Sequence, residues 1–182
     1  SFKIPDINLD HIKRLTTDFG MIQFSKLNNP DLDSGYTLDD NARALIAMCQ
    51  HYQLTKNADD LVYIQTYLDF IKFCQQPDGN FLNYVDKQRL FTKQNDEVNL
   101  ADAYGRTIWA LGFAISLKSV LPSEIITEAD LIIQKALVNA AAVHSTRAMA
   151  FTIKGLFYYN TNSRKPGKIA LIRELANRLV QM

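Results

Sequence analysis

Three arginines stand where helix electrostatics disfavours them. Each lies in the first turns of a helix-forming segment of small and apolar residues: Asn41-Ala42-Arg43-Ala44-Leu45-Ile46-Ala47, Tyr104-Gly105-Arg106-Thr107-Ile108-Trp109-Ala110 and Ser145-Thr146-Arg147-Ala148-Met149-Ala150-Phe151. The N-terminus of a helix carries partial positive charge, so a cation there needs an offset. Asp39 and Asp102 supply one, each four residues before its arginine. Acid before base at this spacing is the favourable order, worth ~0.2–0.5 kcal/mol on an exposed helix. The third arginine departs from the pattern: Val143 stands four residues before Arg147, and His144 three before it.

If the three helix starts open on one face, that face gathers Tyr36, Asp39, Asp40, Asn41, Arg43, Asn99, Asp102, Tyr104, Arg106, His144 and Arg147. Carboxylates and amides bind hydroxyls, and aromatic rings cover C–H faces, so this set suits a neutral, hydroxyl-rich ligand such as a sugar or glycan. Tyr36, Asp39, Asn41, Arg43, Tyr104, Arg106, His144 and Arg147 are the candidate ligand-binding residues. Asp40 and Asp102 are the candidate acid–base pair, with Asp96 and Glu97 as a second choice. Glycosidases hold two such carboxyls ~5–5.5 Å apart when retaining and ~6.5–9.5 Å apart when inverting. On this reading Asp40→Asn abolishes binding and leaves stability unchanged. The opposing reading is structural: the Asp–Arg pairs cap inner helices and cross-link their neighbours.

Other chemistries find little support. His11, His51 and His144 are scattered, with no metal-ligand spacing. Gly79, Gly105, Gly112 and Gly155 are isolated, so no glycine-rich loop cradles a phosphate. Neither a metal nor a cofactor is expected. Cys49 and Cys74 lie in apolar helical patterns and read as buried free thiols of a reducing compartment, which predicts a cytoplasmic location.

Composition narrows the class. The 20 Lys and Arg nearly balance the 19 Asp and Glu, leaving a net charge of +1 in 182 residues, so nothing favours nucleic acid as a partner. With 47% hydrophobic and 21% charged residues, the chain has the makings of a packed core. Only 7 Gly and 5 Pro interrupt it, which predicts long helices. No apolar run reaches the ~18 residues of a membrane span, so no membrane partner is expected.

The elements that must position the candidate residues follow from periodicity. Helices are predicted over about 5–17, from 39 through Tyr52, over 57–76, 100–117, 122–142 and 145–159, and from about 167 to the end, with residues 18–38 mostly loop. Phe81, Tyr84, Val85, Leu90 and Phe91 around Asp86-Lys87-Gln88 predict a small β-hairpin. The segments starting near 39, 100 and 145 are apolar nearly all round, and those at 57–76, 122–142 and 167–182 have charged faces. Buried and peripheral helices therefore alternate, as in stacked helical hairpins forming two layers. The arginines recur after 63 residues (43 to 106) and 41 residues (106 to 147), the longer interval holding the hairpin. Helical-hairpin repeats run at ~40–50 residues. The predicted fold is all-α: one domain over 1–182, about half of an α/α toroid, stopping inside an amphipathic pattern.

Four blocks carry a family resemblance. Leu15-Thr16-Thr17-Asp18-Phe19-Gly20-Met21-Ile22-Gln23-Phe24, Ser34-Gly35-Tyr36-Thr37-Leu38-Asp39-Asp40-Asn41-Ala42-Arg43-Ala44-Leu45, Asp102-Ala103-Tyr104-Gly105-Arg106-Thr107-Ile108-Trp109-Ala110-Leu111-Gly112 and Ser145–Phe151 are similar to a bacterial all-helical domain found attached to glycosyltransferases. The Gly-Tyr-x-x-Asp-Asp-Asn-Ala-Arg-Ala string is the most specific, and the match covers roughly 10–160. The resemblance implies a six-hairpin-glycosidase-like α/α toroid and a role in carbohydrate metabolism or glycan assembly. Ala103 stands where that pattern leads one to expect a more polar side chain, and no catalytic residue is carried over. A complete toroid needs about twice this length, so the chain is expected to be an N-terminal half or to pair with a second copy. Three functions compete: a carbohydrate-active or glycan-binding domain, a non-catalytic accessory domain beside a glycosyltransferase, and an unrelated α-solenoid that binds proteins.

Overall fold

The computed structural model describes residues 7–27, 29–161 and 166–181. In chain order the elements are α1 (Asp10–Leu15), β1 (Ser25–Lys26), β2 (Asn29–Pro30), a 3-10 turn (Leu32–Ser34), β3 (Tyr36–Thr37), α2 (Leu38–Thr55), α3 (Asp60–Cys74), β4 (Tyr84–Val85), α4 (Gln94–Glu97), α5 (Ala101–Ser116), α6 (Ser123–Ala136), a 3-10 segment (Leu137–Ala142), α7 (Thr146–Thr161) and α8 (Pro166–Val180). The chain is mostly helical, as predicted, with two small antiparallel sheets. Of the first predicted helix only Asp10–Leu15 forms; residues 5 and 6 lie outside the described residues, as do 28 in the first loop and 162–165 in the last turn.

The predicted hairpin over 81–91 forms only in part. Tyr84 and Val85 pair with Thr37 and Tyr36, across nearly fifty residues, and the local contact shrinks to a single bridge between Val85 and Phe91. Asp86 explains the difference. Its carboxylate accepts from the N–H groups of Gln88 and Leu90, both at 2.9 Å, tightening the turn. Backbone bonds from the Asp86 N–H to the Leu90 carbonyl and from the Thr92 N–H to the Tyr84 carbonyl close a one-bridge hairpin. Asn95 adds to it by accepting from the N–H groups of Asn83 and Tyr84. The fifth predicted helix ends its α-helical course at Ala136 and continues as the 3-10 segment. There the Ala136 carbonyl accepts from the buried Tyr104 hydroxyl at 2.8 Å.

Helices α2, α5 and α7 lie side by side, with α3 against α2, α6 against α5 and α8 against α7. Burial follows the order read from the sequence only for α5, which hides eleven of its sixteen residues. Helix α3, read as peripheral, hides seven of fifteen, and α7, read as inner, hides six of sixteen and leaves Phe157 exposed. Small residues bring α5 and α7 closest. Gly105 faces Ala148, where an added Cβ would stand 2.6 Å from the carbonyl oxygen, and Gly112 faces Gly155, where it would overlap the oxygen outright. Because 105 meets 148 and 112 meets 155, the two helices run in the same direction and their N-termini share one end. The core is continuous from Leu38, Leu45 and Met48 through Ile64, Tyr67 and Phe70 to Ile108, Leu111 and Ile133. Cys49 and Cys74 are free and buried within it, and burial pushes the Cys49 thiol up to about 12. Among the described residues no helix is long and apolar enough to cross a membrane.

Candidate functional site

The site begins at the N-terminus of α2. Thr37 caps that helix: its hydroxyl accepts from the Asp40 N–H at 3.2 Å and donates to the Asp40 carboxylate at 2.6 Å. Asn83, arriving from the β4 segment, takes the next two donors, its carbonyl accepting from the Leu38 N–H and its side-chain oxygen from the Asp39 N–H at 3.0 Å. With the first-turn N–H groups satisfied, the Asp39 and Asp40 side chains are left to face the end of the helix layer. Tyr36, locked edge-on to Phe19 with ring centroids 5.1 Å apart, fixes the strand that delivers them.

Parallel packing of α2, α5 and α7 then makes a ladder of charges. Arg106 Nε of α5 lies 2.6 Å from Asp39 Oδ1 of α2, and Arg43 Nη2 lies 3.0 Å from Asp39 Oδ2. The Arg106–Asp39 contact is close in charge but is not aligned as a hydrogen bond, leaving both buried atoms without one. Arg43 also pairs with Asp40. Asp102 of α5 accepts from Arg147 Nε at 2.6 Å and from the Ser145 hydroxyl at 3.2 Å. The expected Asp102–Arg106 pair is thus replaced: each later arginine reaches back to the acid of the preceding helix, and Asp102 is occupied by Arg147. A column of rings holds Arg106 in place, its guanidinium 4.5 Å above Phe151, which stacks on Trp109 at 5.8 Å, with Lys154 Nζ 3.7 Å over the indole.

These groups line an open cleft of about 390 Å³, within the ~300–1,000 Å³ range of small-ligand sites. Six predicted residues meet there: Asp39, Asp40, Arg43, Asp102, Arg106 and Arg147, joined by Asn99. Burial pushes the Asp39 carboxyl above its ordinary value, assisted by Asp40 and Asp102, against the pull of Arg106 and Arg43.

The remaining predicted residues lie elsewhere. Asn41 is fully buried and ties the loop to α2, accepting from the Met21 N–H at 2.7 Å and donating to the carbonyls of Met21 and Thr37. Tyr36 is buried, its hydroxyl 3.2 Å from that of Thr17. Asp96 and Glu97 are exposed on α4 and are not part of this cleft. Tyr104 and His144 line a second cleft, of about 510 Å³, on the other side of the α5 N-terminus. Sequence reasoning missed Gln23, Phe24, Thr37, Asn83 and Tyr84 at the charged cleft. Thr37 was open to detection, since Thr37-Leu38-Asp39-Asp40 has the spacing of a helix cap. The role of Asn83 depends on a contact 44 residues away and left no local signal.

No protein-family model matches this chain, and no curated protein matches it in sequence. Among the described residues no group of three or more His, Cys, Asp or Glu is placed to hold a metal ion.

Proposed function

We propose that this chain is a glycan-binding helical domain of carbohydrate metabolism, its helical hairpins forming part of an α/α toroid and its sugar seated in the charged cleft at the N-termini of α2, α5 and α7. One observation carries the reading: three carboxylates and three guanidiniums line the cleft, and every guanidinium already opposes a carboxylate. No surplus positive charge is left for a phosphate or a nucleotide. What remains is a dense, neutral field of donors and acceptors, the chemistry that recognises hydroxyl groups. An acid–base step at this cleft would fall to Asp40 and Asp102, the pair read from the sequence, both of which line it.

The test is a thermal-shift screen against neutral sugars, nucleotide sugars and sugar phosphates. A neutral sugar at about 100 times its dissociation constant adds ~2.7 kcal/mol of stability, and Asp102→Asn removes that gain. Asp40→Asn is expected to remove it too with little change in stability, since the Thr37 cap accepts from the Asp40 backbone N–H, which the substitution leaves in place. No shift with any neutral sugar, or a shift only with phosphorylated ligands, refutes the reading.

The interhelical direction of the Asp39–Arg106 and Asp102–Arg147 pairs favours a second reading, a non-catalytic accessory domain beside a glycosyltransferase. In it the ladder serves only to clamp α2, α5 and α7 together. It requires that no sugar binds and that breaking either pair acts on stability alone.

A further inference from the structure

The second cleft is not separate from the first. Asn99 and Leu100, just before α5, line both. From that shared edge the helix turns its residues to alternate sides: Asp102, Ala103 and Arg106 face the charged cleft, and Ala101 and Tyr104 face the other. Ser145 joins them again, lining the second cleft while donating to Asp102 of the first at 3.2 Å. The second cleft differs in chemistry. Phe81 and Tyr104, both buried, contribute to its lining, with ring centroids 6.1 Å apart. Its one carboxylate, Asp78, is held below the usual carboxylate range by hydrogen bonds from Asn80, and the rest of its polar lining is amides, His144 and Ser145.

Resting on the sugar-binding reading of the charged cleft, we infer that the ligand is a neutral oligosaccharide long enough to cross the Asn99–Leu100 edge, with one part in the charged cleft and the next in the aromatic, amide-rimmed one. A monosaccharide fills one compartment and leaves the other to water. A chain of sugar rings joins them without a second loss of translational freedom, which is how linked contacts gain affinity. A second compartment with an aromatic lining and no Lys or Arg suits the next ring of a neutral glycan, and its Asp78 carboxylate disfavours the phosphate of a nucleotide sugar.

The experiment is calorimetric titration of the full chain with neutral glucose, mannose, xylose and N-acetylglucosamine series, each from one to six rings. In the series that binds, the trisaccharide is expected to bind at least about tenfold more tightly than the monosaccharide, a gain small for linked sites. The double variant with His144→Ala and Asn80→Ala, its melting temperature checked against the parent, is expected to bring that ratio close to one. His144→Trp, which places bulk at the rim, is expected to do the same. A monosaccharide that binds as tightly as its longer homologues, or a ratio that survives both variants, overturns the inference while the sugar-binding reading stands. Failure of every series to bind overturns both.

Discussion

Arg106 of α5 is paired with Asp39 of α2, at 2.6 Å, and not with Asp102 four residues earlier on its own helix. The local rule predicts the intrahelical pair, which is worth only ~0.2–0.5 kcal/mol. Tertiary packing overrides so small a preference, because parallel α2 and α5 place the Asp39 carboxylate within reach and Arg147 occupies Asp102. A double-mutant cycle on Asp39→Asn and Arg106→Gln, read by urea unfolding, is expected to give a coupling of about 0.5–3 kcal/mol. The matching cycle on Asp102→Asn and Arg106→Gln is expected to give close to zero. Coupling in the second cycle and none in the first would mean that the pair is local after all.

Asp39 also sets a pH dependence. Its ordinary pKa of 3.8 is raised in the folded chain, chiefly by burial. The folded state therefore binds more proton than the unfolded one above pH 3.8, and this carboxyl's contribution to stability falls as pH rises through that window, flattening once the folded-state pKa is passed. Asp39→Asn removes the term, so its stability relative to the parent is expected to improve as pH is raised from about 3.8. Paired unfolding curves at intervals of half a pH unit would read it. A relative stability that worsens with pH would mean that Arg106 and Arg43 outweigh burial.

Much of this arrangement was legible before any coordinates. The apolar character of the segment near 100 announced α5 as the buried helix of the row, because a helix with no polar face has to be covered. Helices α2 and α7, read the same way, are no better buried than α3. The recurring arginines announced that α2, α5 and α7 share an end. Asn41 was illegible: buried Asn and ligand-facing Asn look alike in sequence, and only its bonds to Met21 and Thr37 separate them. The hairpin was only half legible for a similar reason. Alternating apolar residues around Asp86 identified a strand correctly, but Tyr84 and Val85 took a distant partner, Tyr36–Thr37, that no local pattern encodes.

The glycines of α5 and α7 are positional. A Cβ on Gly112 would overlap the carbonyl oxygen of Gly155, a backbone atom that yields only if the helices separate. Gly112→Ala is expected to destabilise by about 1–3 kcal/mol or more despite its better helix propensity, the cost of overpacking a filled interface. Gly167→Ala is the control: nothing lies within 4 Å of its added Cβ, so propensity alone acts and stability is unchanged or slightly higher. Equal melting temperatures for the two variants would show that α5 and α7 do not touch.

The same reasoning reaches a cluster far from the cleft. Asp60, at the start of α3, is fully buried; His51 Nδ1 lies 2.5 Å from its Oδ2, Lys13 Nζ lies 4.0 Å from its Oδ1, and Oδ1 has no hydrogen bond. His51→Ala removes the one hydrogen-bonding partner that the Asp60 carboxylate has among the described residues, and breaking such a buried pair costs about 3–5 kcal/mol. At ~2–4 °C per kcal/mol for a chain of this size, the melting temperature is expected to fall by about 6–20 °C. Asp60→Asn should cost less. It withdraws the charge along with part of the hydrogen bonding, and Oδ1 already lacks a partner that the charged form could lose. Thermal unfolding of the two variants ranks them directly. If Asp60→Asn proved the more damaging, the attraction of Lys13 and His51 for the charge would have to exceed the cost of burying it.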